Sequence, residues 1–158
     1  MEAEVTPGGA DTLASEVVSI LSASTFFADL TSEQLGSLAP ICRVVDFSQG
    51  SRIYGLGDQA LDLYVLVDGL VSFTIGHGNH HASGGEIIRS GDVFGWAAVV
   101  EGAERRIAAA DCMTQCRVLA VEGNKLLKAM DRDHSMGYHL MKQLTLLITG
   151  ELTAFASG

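Results

Sequence analysis

Apolar side chains recur along this chain in two rhythms, and the rhythm changes twice. Between residues 12 and 41, Leu13, Val17, Ile20 and Leu21 repeat at three- and four-residue steps, the spacing that lines one face of an α-helix. Thr31-Ser32-Glu33-Gln34 has the form of a capping box, with Thr31 as N-cap and Gln34 three positions on. It predicts a second, short helix that carries Leu35 and Leu38 and is stopped by Pro40. From residue 42 to 121 the texture becomes one of short apolar runs, at 44–47, 63–67, 71–75, 86–89 and 116–121. Turn residues bound each run: Gly50, Gly55-Leu56-Gly57-Asp58, Asp68-Gly69, Gly76-His77-Gly78, Gly84-Gly85 and Gly91-Asp92. Asp68-Gly69, set between two such runs, predicts a hairpin.

After Gly123 the helical rhythm returns. It predicts a short helix over 124–130 and a longer one over 134–155, with Leu140, Met141, Leu144, Leu147, Ile148, Leu152 and Phe155 in a broad apolar stripe. Many short strands with glycine turns predict a mainly β protein, an antiparallel two-sheet sandwich or jelly roll. The expected order is a frayed tail over 1–11, which holds Pro7-Gly8-Gly9, then one domain over 12–158. Within it, N-terminal helices occupy 12–41, the β-roll 42–121 and the C-terminal helices 122–158.

Composition narrows the function classes. The 158 residues are 47% hydrophobic and only 18% charged, enough to build one buried core and unlike a disordered chain. Acidic residues number 19 against 10 basic, a formal net charge of −9. Binding to nucleic acid needs clustered Lys and Arg, and the largest basic cluster is Arg105-Arg106, so no nucleic-acid partner is expected. No apolar run approaches a membrane span, and the start, Met1-Glu2-Ala3-Glu4, lacks the basic and apolar parts of a secretory signal. A cytoplasmic protein without a membrane partner is the expectation. Cys42, Cys112 and Cys116 lack metal-site or redox spacing and read as reduced core thiols. On one extended strand, Cys112 and Cys116 would share a face ~13 Å apart.

Candidate chemistry is sparse. Gly76-His77-Gly78-Asn79-His80-His81 gathers three imidazoles, but its glycines and the absence of a nearby carboxylate or thiol suit a polar loop better than a metal site. Asp58, Asp62, Asp68 and Asp92 follow turns, where aspartate caps its own backbone. Neither a nucleophile elbow nor an H-E-x-x-H helix nor a P-loop is present, so no enzyme is expected.

The glycine punctuation resembles the cyclic nucleotide-binding domain of the catabolite activator (CRP/FNR-like) superfamily over about residues 22–156. Phe47-Ser48-Gln49-Gly50 resembles its entry into the roll, Ile53-Tyr54-Gly55-Leu56-Gly57-Asp58-Gln59-Ala60 and 63–71 resemble its strand pair, and Gly91-Asp92-Val93-Phe94-Gly95 resembles the approach to its phosphate-binding cassette. The resemblance implies a non-enzymatic sensor whose ligand site is lined by Phe94, Gly95, Trp96, Ala97, Ala98, Arg106 and Ile107. Arg106 falls where the cassette arginine would bind the phosphate of cAMP or cGMP. Two positions depart from the family: Trp96 replaces the ribose-binding glutamate, and Ile107 replaces a Ser or Thr phosphate ligand. Trp96 reads either as a plug in a vacated pocket or as a stacking platform in a retuned one. Arg106 reads either as an anion ligand or, with Arg105, as a solvated turn residue beside Glu101 and Glu104. The ligand is then a cyclic nucleotide or a replacement, with haem or an aromatic acid as further readings. The alternative function is a nucleotide-free roll that serves as a protein-interaction or scaffolding subunit. The resemblance also implies a homodimer seam on the last helix at Met141, Leu144, Ile148 and Phe155. The chain stops at Ala156-Ser157-Gly158 without a DNA-reading helix pair, which leads us to expect a stand-alone sensor rather than a piece cut before a second domain.

Overall fold

The computed structural model describes the backbone of residues 10–77 and 80–157 and the side chains of residues 12–74 and 87–150. Helix α1 (Ala10–Ala23) takes in the last two residues assigned above to the tail, and residues 1–9 lie outside the described backbone. Helix α2 (Ser32–Leu38) begins at the predicted capping box: Gln34 N–H donates to Thr31 Oγ1 at 3.1 Å, and Thr31 N–H donates to Gln34 Oε1 at 2.9 Å. Pro40 sits in the single 3-10 turn that follows, Ala39–Ile41. Eight strands come next: β1 (Cys42–Phe47), β2 (Arg52–Tyr54), β3 (Asp62–Asp68), β4 (Val71–His77), β5 (His80–Ile88), β6 (Val93–Phe94), β7 (Ala108–Cys112) and β8 (Cys116–Glu122). A short 3-10 helix, Trp96–Val99, lies between β6 and β7. Helices α3 (Gly123–Arg132) and α4 (His134–Ser157) close the chain, where the apolar rhythm predicts them.

The strands form two four-stranded antiparallel sheets, in the orders β1-β8-β3-β6 and β2-β7-β4-β5. The expected jelly-roll class is therefore observed. Alternation along a strand sorts side chains to opposite faces. In β3 and β8, Tyr64, Leu66, Cys116, Val118 and Ala120 pack between the sheets. Their neighbours Leu63, Val65, Leu119 and Val121 pack outward against the helices, with Leu21, Phe27, Leu38, Leu126 and Leu140. Burial of both faces is why these two runs are continuously apolar.

Three expectations need correction. Asp68-Gly69 does not close a hairpin, because β3 and β4 belong to different sheets and the turn carries the chain from one to the other. Its polar backbone serves the β7–β8 crossover beside it: Leu70 N–H donates to Thr114 Oγ1 at 3.0 Å, and Met113 N–H donates to Leu70 O at 2.9 Å. Gly69 is required there, since its φ is +107° and a Cβ would strike the Gln115 carbonyl and the Cys116 sulfur.

Cys112 and Cys116 likewise occupy two strands, so the spacing along one strand does not apply. Both thiols are buried, and Cys116 Sγ donates to Leu70 O at 3.3 Å. The predicted seam on α4 is divided as well. Leu144 is buried in the chain's own core and Ile148 packs against it, while Met141 is exposed and the Phe155 side chain lies outside the described residues. The physical reason is that the apolar stripe of the helix enters the chain's own core, where α4 packs chiefly on α3.

The contact between the 3-10 helix and α3 yields a first prediction. Gly123 N–H donates to Leu61 O at 2.9 Å, and a Cβ on Gly123 would overlap the Ala98 carbonyl. Gly123→Ala should destabilise the fold by about 1–3 kcal/mol, the usual cost of overpacking, read as a lower urea midpoint at unchanged m-value. The thiols yield a second. Burial pushes the Cys42 thiol up to about 12, and burial together with the Cys116 contact does the same for Cys112. The folded state holds these protons while an unfolded thiol releases them near 9, so this contribution is fully present below pH 9 and is lost as pH rises towards 12. Cys42→Ala/Cys112→Ala should flatten that alkaline loss of stability in denaturant titrations.

Candidate functional site

Arg106 stands at the start of β7, where two loops are laced together. Arg106 N–H donates to Asp58 O at 2.8 Å, and Gly57 N–H donates to Arg106 O at 2.9 Å. Asp58 in turn caps its own turn by accepting from Gly55 N–H at 2.8 Å, as an aspartate after a glycine turn is expected to do. With the backbone pinned on both sides, the Arg106 side chain is directed inward and is only 5% exposed. Arg105, next to it, is exposed and donates to Gly57 O at 3.1 Å. The solvated-turn reading therefore holds for Arg105 and fails for Arg106.

The guanidinium of Arg106 is held by backbone and by aromatic rings. Nη1 donates to Gly95 O at 2.8 Å and Nη2 to Asp62 O at 2.6 Å. Its carbon lies 4.2 Å from the Tyr54 ring centroid and 5.9 Å from that of Tyr64. Tyr54, Tyr64 and Phe94 form a stack with centroids 5.2–6.3 Å apart. Burial raises the Tyr64 hydroxyl above its ordinary range. Gly95 has a φ of +78°, and a Cβ there would press on Arg106 Nη1 and Tyr64, both at 3.1 Å. Glycine is thus needed where the arginine crosses.

Asp62 anchors the other side of this arrangement. Its carboxylate is bound by both terminal nitrogens of Arg43, at 2.7 and 3.2 Å, so the residue whose carbonyl holds Arg106 is itself held to β1. Among the described residues no carboxylate pairs with Arg106, and its Nε, fully buried, has no hydrogen-bond partner. Buried charges in proteins are ordinarily paired. The Arg106 cation rests instead on two carbonyls and a ring, and its Nε is left without a partner among the described residues.

Five of the seven predicted site residues converge on a small cavity of about 20 Å³ beside this guanidinium: Gly95, Trp96, Ala97, Arg106 and Ile107. Tyr54, Phe73 and Ala108 complete its wall. Trp96 is half-buried and packs against the helical core, and Ile107 is 53% exposed on the solvent side. Phe94 lies beneath the cavity in the ring stack rather than in its wall, and Ala98 is packed against Gly123 instead. Typical ligand pockets are about 300–1,000 Å³, so this cavity of about 20 Å³ is far smaller than one.

A second, larger concavity of about 840 Å³ runs between the loop at 100–105 and the helices α3 and α4. Glu101, Glu104, Asp131 and His134 lie along it, and Arg106 does not. Among the described residues no three His, Cys, Asp or Glu side chains gather as a metal site. The side chains of His77, His80 and His81 lie outside the described residues, and no helix among those residues is long and apolar enough to cross a membrane.

Sequence reasoning did not select Tyr54, Phe73, Ala108 or the Asp62 carbonyl. Tyr54 stood within the glycine motif that carried the resemblance, but its approach to Arg106 depends on the pairing of β2 with β7.

Comparison with known proteins agrees with the fold. The family profile described as the cyclic nucleotide-binding domain matches residues 44–133, which contain all eight strands except the first two residues of β1. No curated protein matches the chain. Among solved structures, a cyclic nucleotide-binding domain from Methylobacillus flagellatus superposes with a TM-score of 0.75 at 17% identity, covering 97% of this chain and 86% of that one. The catabolite activator protein of Thermus thermophilus gives 0.70 at 20% identity, covering 84% of this chain and 62% of that one. The regulatory domain of Toxoplasma gondii PKA, solved with cAMP, gives 0.68 at 22% identity over 91% of this chain and 51% of that one. These likenesses concern the fold, and the profile match over more than half of the chain decides the family: the protein belongs to the cyclic nucleotide-binding domain family.

Proposed function

We propose that the protein is a regulatory, non-enzymatic sensor that binds a small anionic ligand, a cyclic nucleotide or a replacement for one, at Arg106. The observation that carries this reading is the buried guanidinium that no carboxylate among the described residues pairs with, its Nε lacking a partner there. The relatives support it: one is the regulatory domain of a kinase solved with cAMP, another a catabolite activator. Arrival of an anion would draw on Arg106, loosen its bond to Gly95 O and so move the 3-10 helix Trp96–Val99 that begins one residue later. That helix rests through Ala98 on Gly123, the first residue of α3. The path from ligand to C-terminal helices is therefore short and made of backbone contacts.

The small cavity favours a competing reading, in which the roll is nucleotide-free and serves as a protein-interaction or scaffolding subunit. A thermal-shift screen separates the two. The panel holds cAMP, cGMP, cyclic dinucleotides and small aliphatic and aromatic carboxylates. A true ligand at about 100 times its Kd stabilises the fold by about 2.7 kcal/mol, which for a domain of this length raises Tm by about 5–10 °C. Arg106→Gln should abolish the rise. No shift with any anion at millimolar concentration would leave the scaffold reading.

A further inference from the structure

Resting on the reading of Arg106 as an anion ligand, we propose that the anion is a carboxylate carried on a flat, ribose-free apolar body, and not a cyclic nucleotide. Donor supply is the first ground. Nη1 and Nη2 each give one N–H to the carbonyls of Gly95 and Asp62, and the buried Nε has no partner among the described residues. The remaining N–H groups can receive a carboxylate without breaking either carbonyl bond.

Acceptor supply is the second ground. Among the described residues that line the cavity none has a carboxylate or an amide side chain, and position 96 carries an indole. A ribose hydroxyl brought here would be dehydrated without a carboxylate to receive it. The walls supply what a flat apolar group prefers: the Tyr54 ring under the guanidinium, Phe73 across the cavity, and Trp96 beside it. The cavity of about 20 Å³ holds no ring as it stands. Access runs past Ile107 and Trp96, the two wall side chains that are not buried, and the ligand's ring takes the place they vacate.

Trp96 is the one tryptophan of the chain, so its fluorescence reports this cavity directly. The test titrates the full chain with phenylacetate, benzoate, acetate, phenylacetamide, cAMP and cGMP, following both Trp96 emission and Tm. We expect saturable changes with phenylacetate or benzoate at a Kd at least tenfold below that of cAMP or cGMP. Acetate, which lacks the ring, and phenylacetamide, which lacks the charge, should bind at least tenfold more weakly. Arg106→Gln should remove the response. Should that variant not fold, Ile107→Asp places a like charge at the exposed rim and should weaken the aromatic carboxylate about tenfold. Tighter binding of cAMP or cGMP would overturn this proposal and leave the sensor reading intact. Undiminished binding of phenylacetate in both variants would overturn it too, by placing the ligand elsewhere. No response to any of the six compounds would overturn this proposal, and the sensor reading falls with it only if the cyclic dinucleotides also leave Tm unchanged.

Discussion

The pairing of β3 with β8 is the constraint on which the rest of the structure depends. These two strands lie at the centre of the first sheet, matched from Asp62 opposite Glu122 to Leu66 opposite Val118. Both of their faces are buried, one in the roll and one under the helices, so they join the two cores. A polar substitution at Leu63, Leu66, Val118 or Leu119 would therefore be felt on one core or the other with no solvated face to escape to. The helices have no independent reason to be where they are. Leu63, Val65, Leu119 and Val121 share one apolar cluster with them, to which α4 adds Leu140 and Leu144.

The same strand pair builds the site. Asp62 opens β3, and its carbonyl receives Arg106, while its carboxylate is tied to Arg43 on β1. Tyr64, two residues on, enters the ring stack with Tyr54 and Phe94. A cation is thus brought into the roll without a carboxylate opposite it, on a support of carbonyls and rings that are all fixed by sheet registry. Such a charge is costly to bury unless something is gained from it, which is the ground for the anion ligand we propose. Small residues opposite make room: Ala108, Ala110 and Ala120 face the interior where the three rings lie.

Communication out of the site follows from close packing. Gly95 lets the arginine cross, and Gly123 lets the backbone of the 3-10 helix rest on α3. At both positions a side chain would intrude on its neighbour, so displacement of one element is passed to the next with little slack. The larger concavity between the 100–105 loop and the helices gives that displacement somewhere to go.

The sequence by itself determined the kinds of elements and their order, because those depend on local physics. The capping box at Thr31 starts a helix wherever it stands, and a run such as Leu63–Val67 has to be buried on both sides. The roll's class followed from strand count and glycine turns, and the glycine pattern identified the family. It also placed Gly95, Trp96, Ala97, Arg106 and Ile107 around one site. It could not foresee β7, whose three alanines carry little strand preference and become a strand only because β2 and β4 flank them. Nor could it tell that Asp68-Gly69 crosses between sheets, since a two-residue turn looks alike whichever sheet the next strand joins. Whether Arg106 met water or the interior was likewise decided by tertiary structure alone. Its neighbours in sequence are charged and turn-like, and the rings and carbonyls that hold it come from β2, β3 and Gly95, many residues away.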